Sequence, residues 1–276
     1  MNDIKLKCLE IRQDIFRTVC LNKAGHLASS LSSVEILAAL YFGDVLKYNA
    51  KNPYSEDRDR FILSKGHAAL ALYYVLAKAG YYNKKDVFTF CKEGTRFGGL
   101  ATYGKIPGIE TTSGSLGHGL SYAAGIAVMG QIEKSQYKVY VLLGDGELQE
   151  GEIWEAAMFI SYKNLCNLVV IIDNNGIQAT GYNKDIIENG SIKDKWSAFG
   201  FDVAEVDGHD TDALSYEMKK ETSRPKVIIA HTIKGKGLSF VEGKRDWHYK
   251  MPSEKEIETG LKELLMTKGD LSGYEE

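Results

Sequence analysis

A carboxylate flanked by two glycines, Asp145, directly follows the apolar run KVYVLLG. A second apolar run, NLVVIID, is followed by two asparagines, and the second of them, Asn175, lies 30 positions after Asp145. Carboxylate and amide oxygens suit Mg²⁺, which fills its octahedron with phosphate oxygens and water. Glycines next to the carboxylate let a phosphate approach the backbone and leave N–H groups free to donate. The pattern indicates a site for a metal diphosphate.

Each half of this pattern also has a plain structural interpretation, because GDG and NN are common turn sequences at strand ends. The intervening chain reads as strand, helix and strand: KVYVLLG at 138–144, then IWEAAMFISYKN, then NLVVIID at 167–173. Such a βαβ unit is right-handed with parallel strands. Its two strand ends meet at the sheet edge where ligands gather. This juxtaposition favours the metal diphosphate over two unrelated turns.

The rest of the chain predicts the same architecture. FDVAEVDG, a helix near 211–220 and PKVIIAHT repeat the alternation. Uninterrupted apolar strands between helices are typical of a parallel sheet covered on both faces. The expected fold class is therefore α/β, a parallel twisted sheet with helices on both faces.

Other elements follow from periodicity and turn residues. We expect a helix over 3–21, a loop at GHLASS, a helix over 34–46 capped by Ser32 or Ser33, a strand at FILS, a helix over 67–80 stopped by Gly80, and a long loop over 91–116. A loop of that length is usually functional or disordered. A helical tail begins at about 253, where Ser253 and Glu256 have capping-box spacing.

The composition disfavours several classes of protein. The 276 residues are 44% hydrophobic and 26% charged, with a formal net charge of -3. The charge disfavours nucleic acid and anionic membranes as partners. No apolar run approaches the length of a membrane span, and the N-terminus has no secretory signal. The four cysteines form no CxxC pair, which fits free thiols in a cytoplasmic protein. We expect one domain over 1–276.

The GDG and NN pair resembles the thiamine diphosphate and Mg²⁺ signature, and further segments resemble the N-terminal, diphosphate-binding part of transketolase. They fall in family order: GHLASSLSSVEIL, ILSKGHAALALY, PGIETTSGSLGHGLSYAAGIA, GDGELQEGEIWEA, DNNGIQATG and HTIKGKG with WHYKMP. The alpha subunits of 2-oxoacid dehydrogenases share the GDG and NN pair but not the SKGH or LQEG segments. The resemblance implies the diphosphate-binding domain of the thiamine diphosphate-binding fold.

The same resemblance implies ligands for both cofactors. The metal would be held by Asp145, Asn175 and the backbone carbonyl of Ile177. The residues expected to bind thiamine diphosphate are His67, Gly114, Ser115, Leu116, Gly144, Gly146, Glu155, Asn175 and His248. Of these, His67 and Gly146 would contact the diphosphate, and the 114–116 segment would contact the aminopyrimidine.

Three residues are expected to act in catalysis. His26 and His248 resemble the substrate-channel histidines of the family, which suit hydroxyl binding and proton transfer near neutral pH. Glu150 would join a network of glutamates linking two active sites, although a glutamate near a helix N-terminus is also stabilised by the helix dipole. His118 reads as structural or as a subunit contact, and His209 and His231 receive no role.

Two segments depart from the family pattern. Leu100 stands where a further histidine, which binds a donor hydroxyl, is usual, and GHLASS replaces the usual GHPGGS. Leucine cannot form a hydrogen bond. Either the donor lacks that hydroxyl, as pyruvate or a 1-deoxy sugar does, or Thr102 or Tyr103 replaces the contact.

Length is the other departure. A full transketolase continues into a pyrimidine-binding domain, which supplies the glutamate that activates the cofactor. We expect that domain on a separately encoded partner in an α2β2 assembly, and no activity from this chain alone. The first hypothesis is transfer of a two-carbon ketol unit between sugar phosphates. The alternatives are a transketolase-like synthase with a different donor and a non-catalytic thiamine diphosphate-binding subunit.

Overall fold

Five parallel strands form the centre of the protein, ordered β1-β2-β3-β5-β4 across one sheet in a computed structural model that describes residues 3–272. The strands are β1 (Arg60–Leu63), β2 (Val139–Gly144), β3 (Leu168–Asn174), β4 (Asp202–Asp207) and β5 (Lys226–His231). The register pairs Gly144 with Asp173. Because the strands are parallel, the segments following β1, β2, β3 and β5 emerge at one edge.

Helices cover both faces of the sheet, and each face has its own hydrophobic core. The α-helices are α1 (Asp3–Asn22), α2 (Leu27–Ser32), α3 (Val34–Phe42), α4 (Ala69–Lys78), α5 (His118–Ile132), α6 (Gly151–Lys163), α7 (Asn183–Ile186), α8 (Ile192–Ala198), α9 (Thr211–Lys219), α10 (Glu254–Glu263) and α11 (Gly269–Ser272). One core packs α5, α6 and α8 on the sheet, and the other packs α1 to α4, α9 and α10. The α/β prediction is confirmed.

The strand side chains explain why both faces are covered. Along β2, Val141 and Leu143 enter one core while Tyr140 and Leu142 enter the other, and all four are buried. Successive side chains on a strand point to opposite faces, so a continuous apolar run requires apolar packing on both sides. This is the physical basis of the sequence prediction for β2 and β3.

The expectation of a loop at GHLASS is wrong. Residues Leu27–Ser32 form helix α2, and Ser33 is both its C-cap and the N-cap of α3. Serine hydroxyls normally compete with helical backbone bonds. Here the hydroxyls of Ser32 and Ser33 lie within hydrogen-bonding distance of both the carbonyl of Ser29 and the buried carboxylate of Asp173. A distant charge therefore stabilises this serine-rich turn of helix.

Two details of the next helix also differ from expectation. Ser33 occupies the N-cap position of α3, but its side chain makes no cap bond because it is engaged elsewhere. Helix α3 ends at Phe42 rather than 46, with Gly43 as its C-cap. A Cβ at Gly43 would collide with Ser215 on α9, so the chain leaves the helix where α9 crosses closely.

Several other local expectations agree with the structure. Residues 91–116 contain no helix or strand, and Gly80 ends the α4 region with φ of 92°. Ser253 and Glu256 form a capping box at the start of α10. Within residues 3–272 no helix is both long enough and apolar enough to cross a bilayer.

Candidate functional site

A cavity of about 600 Å³ lies at the carboxyl ends of β1, β2 and β3. Most of the residues singled out from the sequence line it: His26, His67, Leu100, Gly114, Leu116, Gly144, Asp145, Gly146, Asn175, Ile177 and His248. Parallel pairing of β2 with β3 brings Asp145 beside the Asn175 segment, as expected from the βαβ unit.

Three oxygen-bearing groups lie at one end of the cavity. The carboxylate of Asp145 accepts hydrogen bonds from the backbone N–H groups of Gly146, at 2.8 Å, and Gly176. The side-chain oxygen of Asn175 accepts one from the N–H of Ile177 at 3.1 Å. Burial and the neighbouring charge of Asp173 raise the pKa of Asp145. An additional positive charge would relieve this cost of burying a carboxylate.

The chemistry of these oxygens fits Mg²⁺ bound together with phosphate. In the described part of the chain, no group of three or more histidine, cysteine, aspartate or glutamate side chains is arranged to hold a metal ion. One carboxylate, one amide oxygen and the Ile177 carbonyl are hard donors but too few for an octahedron. A metal here would need oxygens from a phosphate ligand and water.

Beneath this end lies a buried ion pair that sequence reasoning missed. The ammonium group of Lys65 pairs with the carboxylate of Asp173, and both side chains are almost completely buried. The hydroxyls of Ser32, at 2.7 Å, and Thr232 also donate to Asp173. Burial raises the pKa of Asp173, but Lys65 and the hydroxyl donors outweigh burial and hold it well below its usual value. Asp173 therefore joins the ends of β1, β3 and β5.

Lys234 is a second lysine that sequence reasoning did not single out. Its ammonium group donates to the carbonyl of Ile177 at 3.1 Å and lies 3.4 Å from Nδ1 of His248. Burial and the charge of Lys65 lower the pKa of Lys234 to about 8. Its sequence context, between Ile233 and Gly235, gave no distinct signal, and only the fold brings Lys234 to the cavity.

Three imidazoles form a cluster further along the wall. Ring centroids are 5.1 Å apart for His26 and His248, 5.6 Å for His67 and His248, and 6.0 Å for His26 and His67. Burial and Lys234 lower the pKa of His26, and they lower that of His248 to about 4. Burial and Lys65 lower the pKa of His67 well below its ordinary value. Near neutral pH all three rings are uncharged, so each offers one donor and one acceptor.

Two polar atoms at this wall have no partner. The Nδ1 atom of His26 and the hydroxyl of Ser29 are buried without a hydrogen bond, although both residues line the cavity. Buried polar atoms in native proteins are nearly always satisfied. A polar ligand is the simplest source of the missing partners.

The glycines at the cavity also fit a closely bound ligand. A Cβ at Gly146 would lie 2.7 Å from the side chain of Gln178, so no larger residue fits between the strand end and the facing loop. Gly114 has φ of 144°, which disfavours any residue with a side chain. The backbone is thereby exposed at both the Asp145 end and the 114–116 segment.

Leu100 lines the cavity with 41% of its surface exposed. The hydroxyl of Tyr73 donates to the backbone carbonyls of Gly98 and Leu100, at 3.1 and 3.2 Å, and fixes this segment. Neither Thr102 nor Tyr103 belongs to the cavity lining. The suggestion that one of them replaces a histidine contact therefore has no support here.

Three of the predicted site residues lie outside the cavity lining: Ser115, Glu150 and Glu155. All three are exposed, and Glu150 is the N-cap residue of α6 without a side-chain cap bond. Their roles stay predictions. Other histidines have partners elsewhere: His118 pairs with Glu152 at 3.0 Å, His209 with Glu35 at 2.9 Å and His231 with Glu205 at 3.0 Å.

Comparisons with known proteins give a consistent result. Residues 7–268 match the family model described as transketolase, thiamine diphosphate binding domain. The chain is 38% identical to an apulose-4-phosphate transketolase subunit of Phocaeicola vulgatus, covering 95% of this chain and 93% of that protein. It is 40% identical to the 6-deoxy-6-sulfo-D-fructose transketolase subunit SqwG of Clostridium sp., covering 87% and 88%.

A solved structure with the same fold is transketolase from Leishmania mexicana. It superposes with a TM-score of 0.88 at 29% identity, over 99% of this chain and 44% of that one. The chain thus spans less than half of this solved transketolase but nearly the whole of the P. vulgatus protein.

Proposed function

Because this chain belongs to the transketolase family through its thiamine diphosphate-binding domain, we propose that it is the N-terminal subunit of a two-chain, thiamine diphosphate- and Mg²⁺-dependent transketolase. The enzyme transfers a two-carbon ketol unit between sugar phosphates. The observation that carries this proposal is one cavity with Asp145, Asn175 and the Ile177 carbonyl at one end and three uncharged histidines along its wall.

At the metal end, Asp145, Asn175 and the Ile177 carbonyl would hold Mg²⁺ beside the diphosphate. The N–H group of Gly146 and the side chain of His67 would bind diphosphate oxygens, and Lys234 would add a positive charge. When bound, the cofactor supplies the carbon that carries the two-carbon unit from donor to acceptor. The protein positions the donor and acceptor and supplies electrostatic interactions at the histidine end of the cavity.

At the histidine end, His26 and His248 bind the hydroxyls of the sugar. An uncharged imidazole donates to one hydroxyl oxygen and accepts a proton from another, so it can move a proton at the reacting hydroxyl. Their lowered pKa values keep both rings in this form near neutral pH. With the cavity filled and water excluded, these hydrogen bonds would be stronger.

The pyrimidine-binding half is carried by a separately encoded chain in an α2β2 assembly. The two relatives named as subunits are covered over 93% and 88% of their lengths, which supports this division. Glu150 and Glu155 are exposed on this chain, as residues that meet a partner would be. The four free cysteines suit the reducing cytoplasm.

The test is ketol transfer by the chain together with its partner, with thiamine diphosphate and Mg²⁺ present. Candidate donors are xylulose 5-phosphate, apulose 4-phosphate, 6-deoxy-6-sulfofructose, a 1-deoxy sugar phosphate and pyruvate. Products in which an acceptor aldose phosphate has gained a two-carbon ketol unit from a hydroxylated donor, identified by mass spectrometry, support the proposal. Absence of products from all donors contradicts it, and this result would favour a non-catalytic thiamine diphosphate-binding subunit, despite the intact metal residues Asp145 and Asn175.

A second candidate function rests on Leu100. An apolar side chain at this wall favours a donor without the hydroxyl that a histidine would bind, such as pyruvate or a 1-deoxy sugar. Selective use of those donors identifies a transketolase-like synthase, whereas transfer from xylulose 5-phosphate at ordinary rates excludes it.

The substitution Leu100→His tests how this wall selects the donor. A new hydrogen bond to a donor hydroxyl is worth about 1 kcal/mol or somewhat more, so kcat/KM for a hydroxylated donor should rise about tenfold relative to a deoxy donor. Leu100→Met, which keeps the apolar character, is the matched control. The same donor ratio in both variants would show that Leu100 does not contact this part of the donor.

A further inference from the structure

Glu147 is a buried carboxylate at the cavity that the proposed chemistry does not use. It lies two residues after Asp145, in the short 3₁₀ helix Gly146–Gln149 that follows β2, and only 2% of its surface is exposed. It lines the cavity, yet its two oxygens are directed to the protein itself.

The Glu147 carboxylate joins three separate segments of the chain. One oxygen accepts from the hydroxyl of Ser64, just after β1, and from the N–H of Gly117 at 2.8 Å. The other oxygen accepts from the N–H of Gly144 at 3.0 Å, at the end of β2. Gly117 directly follows the 114–116 segment and precedes α5, so this carboxylate ties that loop to the strand end that bears Asp145.

Glycines pack closely around the loop that contains Gly114–Leu116. A Cβ at Gly66 would lie 2.6 Å from the hydroxyl of Ser113, and a Cβ at Gly119 would collide with Ser64. Gly117 has φ of 89°, and a Cβ there would lie 3.1 Å from Glu150. The loop is therefore wedged between the end of β1 and the start of α6, and Glu147 is the charged group that bonds it there.

We propose that Glu147 is a positioning residue that fixes the Gly114–Leu116 segment relative to Asp145. This inference rests on the proposed function, in which the two sites bind opposite ends of thiamine diphosphate. Charge-assisted hydrogen bonds from backbone N–H groups are shorter and stronger than neutral ones. Glu147 sets the spacing between the metal end and the aminopyrimidine end without touching the cofactor's reacting atoms.

The test is Glu147→Gln in the full chain, in complex with its pyrimidine-binding partner. A glutamine has one acceptor oxygen, so its NH₂ group must face either Gly117 or Gly144 and break one backbone bond. With Mg²⁺ present, the affinity for thiamine diphosphate should fall about tenfold, whereas that for inorganic pyrophosphate should stay within about twofold. Pyrophosphate occupies only the metal end, so a general loss of structure would weaken both.

Hydrogen exchange gives a second readout that needs no ligand. In Glu147→Gln, the backbone amide that faces the NH₂ group, that of Gly117 or that of Gly144, loses its acceptor and should exchange at least about tenfold faster than in the wild-type chain. Ser64→Ala, which removes one donor to the same oxygen, should show both effects more weakly and serves if the first variant does not fold. Glu205→Gln, on β4, where the carboxylate pairs with Lys193 and His231 away from Glu147 and Gly117, is the control and should show neither effect.

An equal loss of affinity for both ligands, or unchanged exchange at both Gly117 and Gly144, would overturn the inference. Faster exchange with unchanged affinity for thiamine diphosphate would also overturn it, because the loop would then be held for stability alone. If the wild-type complex binds neither ligand, the proposed function fails, and exchange at Gly117 and Gly144 still decides whether Glu147 holds the loop.

Discussion

Replacing Asp145 with asparagine is expected to weaken binding of Mg²⁺ with thiamine diphosphate by more than about a hundredfold and to lower ketol transfer at least as much. Losing a group that only orients a metal ligand already costs about 10- to 100-fold, and Asp145 is proposed as a ligand itself. Among the three proposed metal ligands it alone carries a formal charge, since Asn175 and the Ile177 carbonyl are neutral. Isothermal titration calorimetry, with thiamine diphosphate titrated into the protein in the presence of Mg²⁺, measures the change in affinity.

The matched control for Asp145→Asn is Glu205→Gln, which also neutralises a carboxylate. Glu205 lies on β4 and pairs with Lys193 and His231 away from the cavity that contains Asp145. Its substitution should leave the affinity for Mg²⁺ and thiamine diphosphate unchanged within about twofold. Equal affinities in Asp145→Asn and the wild-type chain would remove Asp145 from the metal site.

The largest expected effect on stability comes from Asp173→Ala. This change leaves the ammonium group of Lys65, of which 1% is exposed, without its carboxylate partner. Breaking one side of a buried ion pair typically costs about 3–5 kcal/mol, because an uncompensated charge remains in the interior. The hydroxyls of Ser32, Ser33 and Thr232 lose their common acceptor as well. The free energy of unfolding, measured with urea, reports the loss.

A control variant and a double variant test this interpretation of Asp173→Ala. Glu221→Ala breaks the exposed pair between Lys138 and Glu221 and should change the free energy of unfolding by no more than about 0.5 kcal/mol. Adding Lys65→Met to Asp173→Ala removes the unpaired charge and should restore part of the stability. If Asp173→Ala costs less than about 1 kcal/mol, the pair does not hold the strand ends together.

The central sheet was predictable from the sequence because its strands are buried on both faces. KVYVLLG and NLVVIID are uninterrupted apolar runs, and the structure places them as adjacent parallel strands β2 and β3. Helix α2 was not predictable, since its serines are stabilised by Asp173, 141 positions away from Ser32. Local propensity is a weak guide where such a tertiary contact decides the conformation.

Some residues of the candidate site were likewise predictable from the sequence, and others were not. Asp145 and Asn175 were found because they closely follow the two recognisable strands, so their positions depend on local pattern. Lys234 and Glu147 were missed because their roles depend on contacts with Ile177 and Gly117, which are distant in the chain. Residues such as Glu150 and Glu155, exposed outside the cavity, need a partner chain before their roles are testable.

The central claim is that this chain is one half of a two-chain transketolase. Its most direct test is transfer of a ¹³C-labelled two-carbon unit at a fixed concentration of this chain and increasing concentrations of the pyrimidine-binding chain, with saturating thiamine diphosphate and Mg²⁺. We expect no transfer by either chain alone and a rate that rises to a plateau at a one-to-one ratio. Robust transfer by this chain alone, or no transfer at any ratio, would contradict the claim.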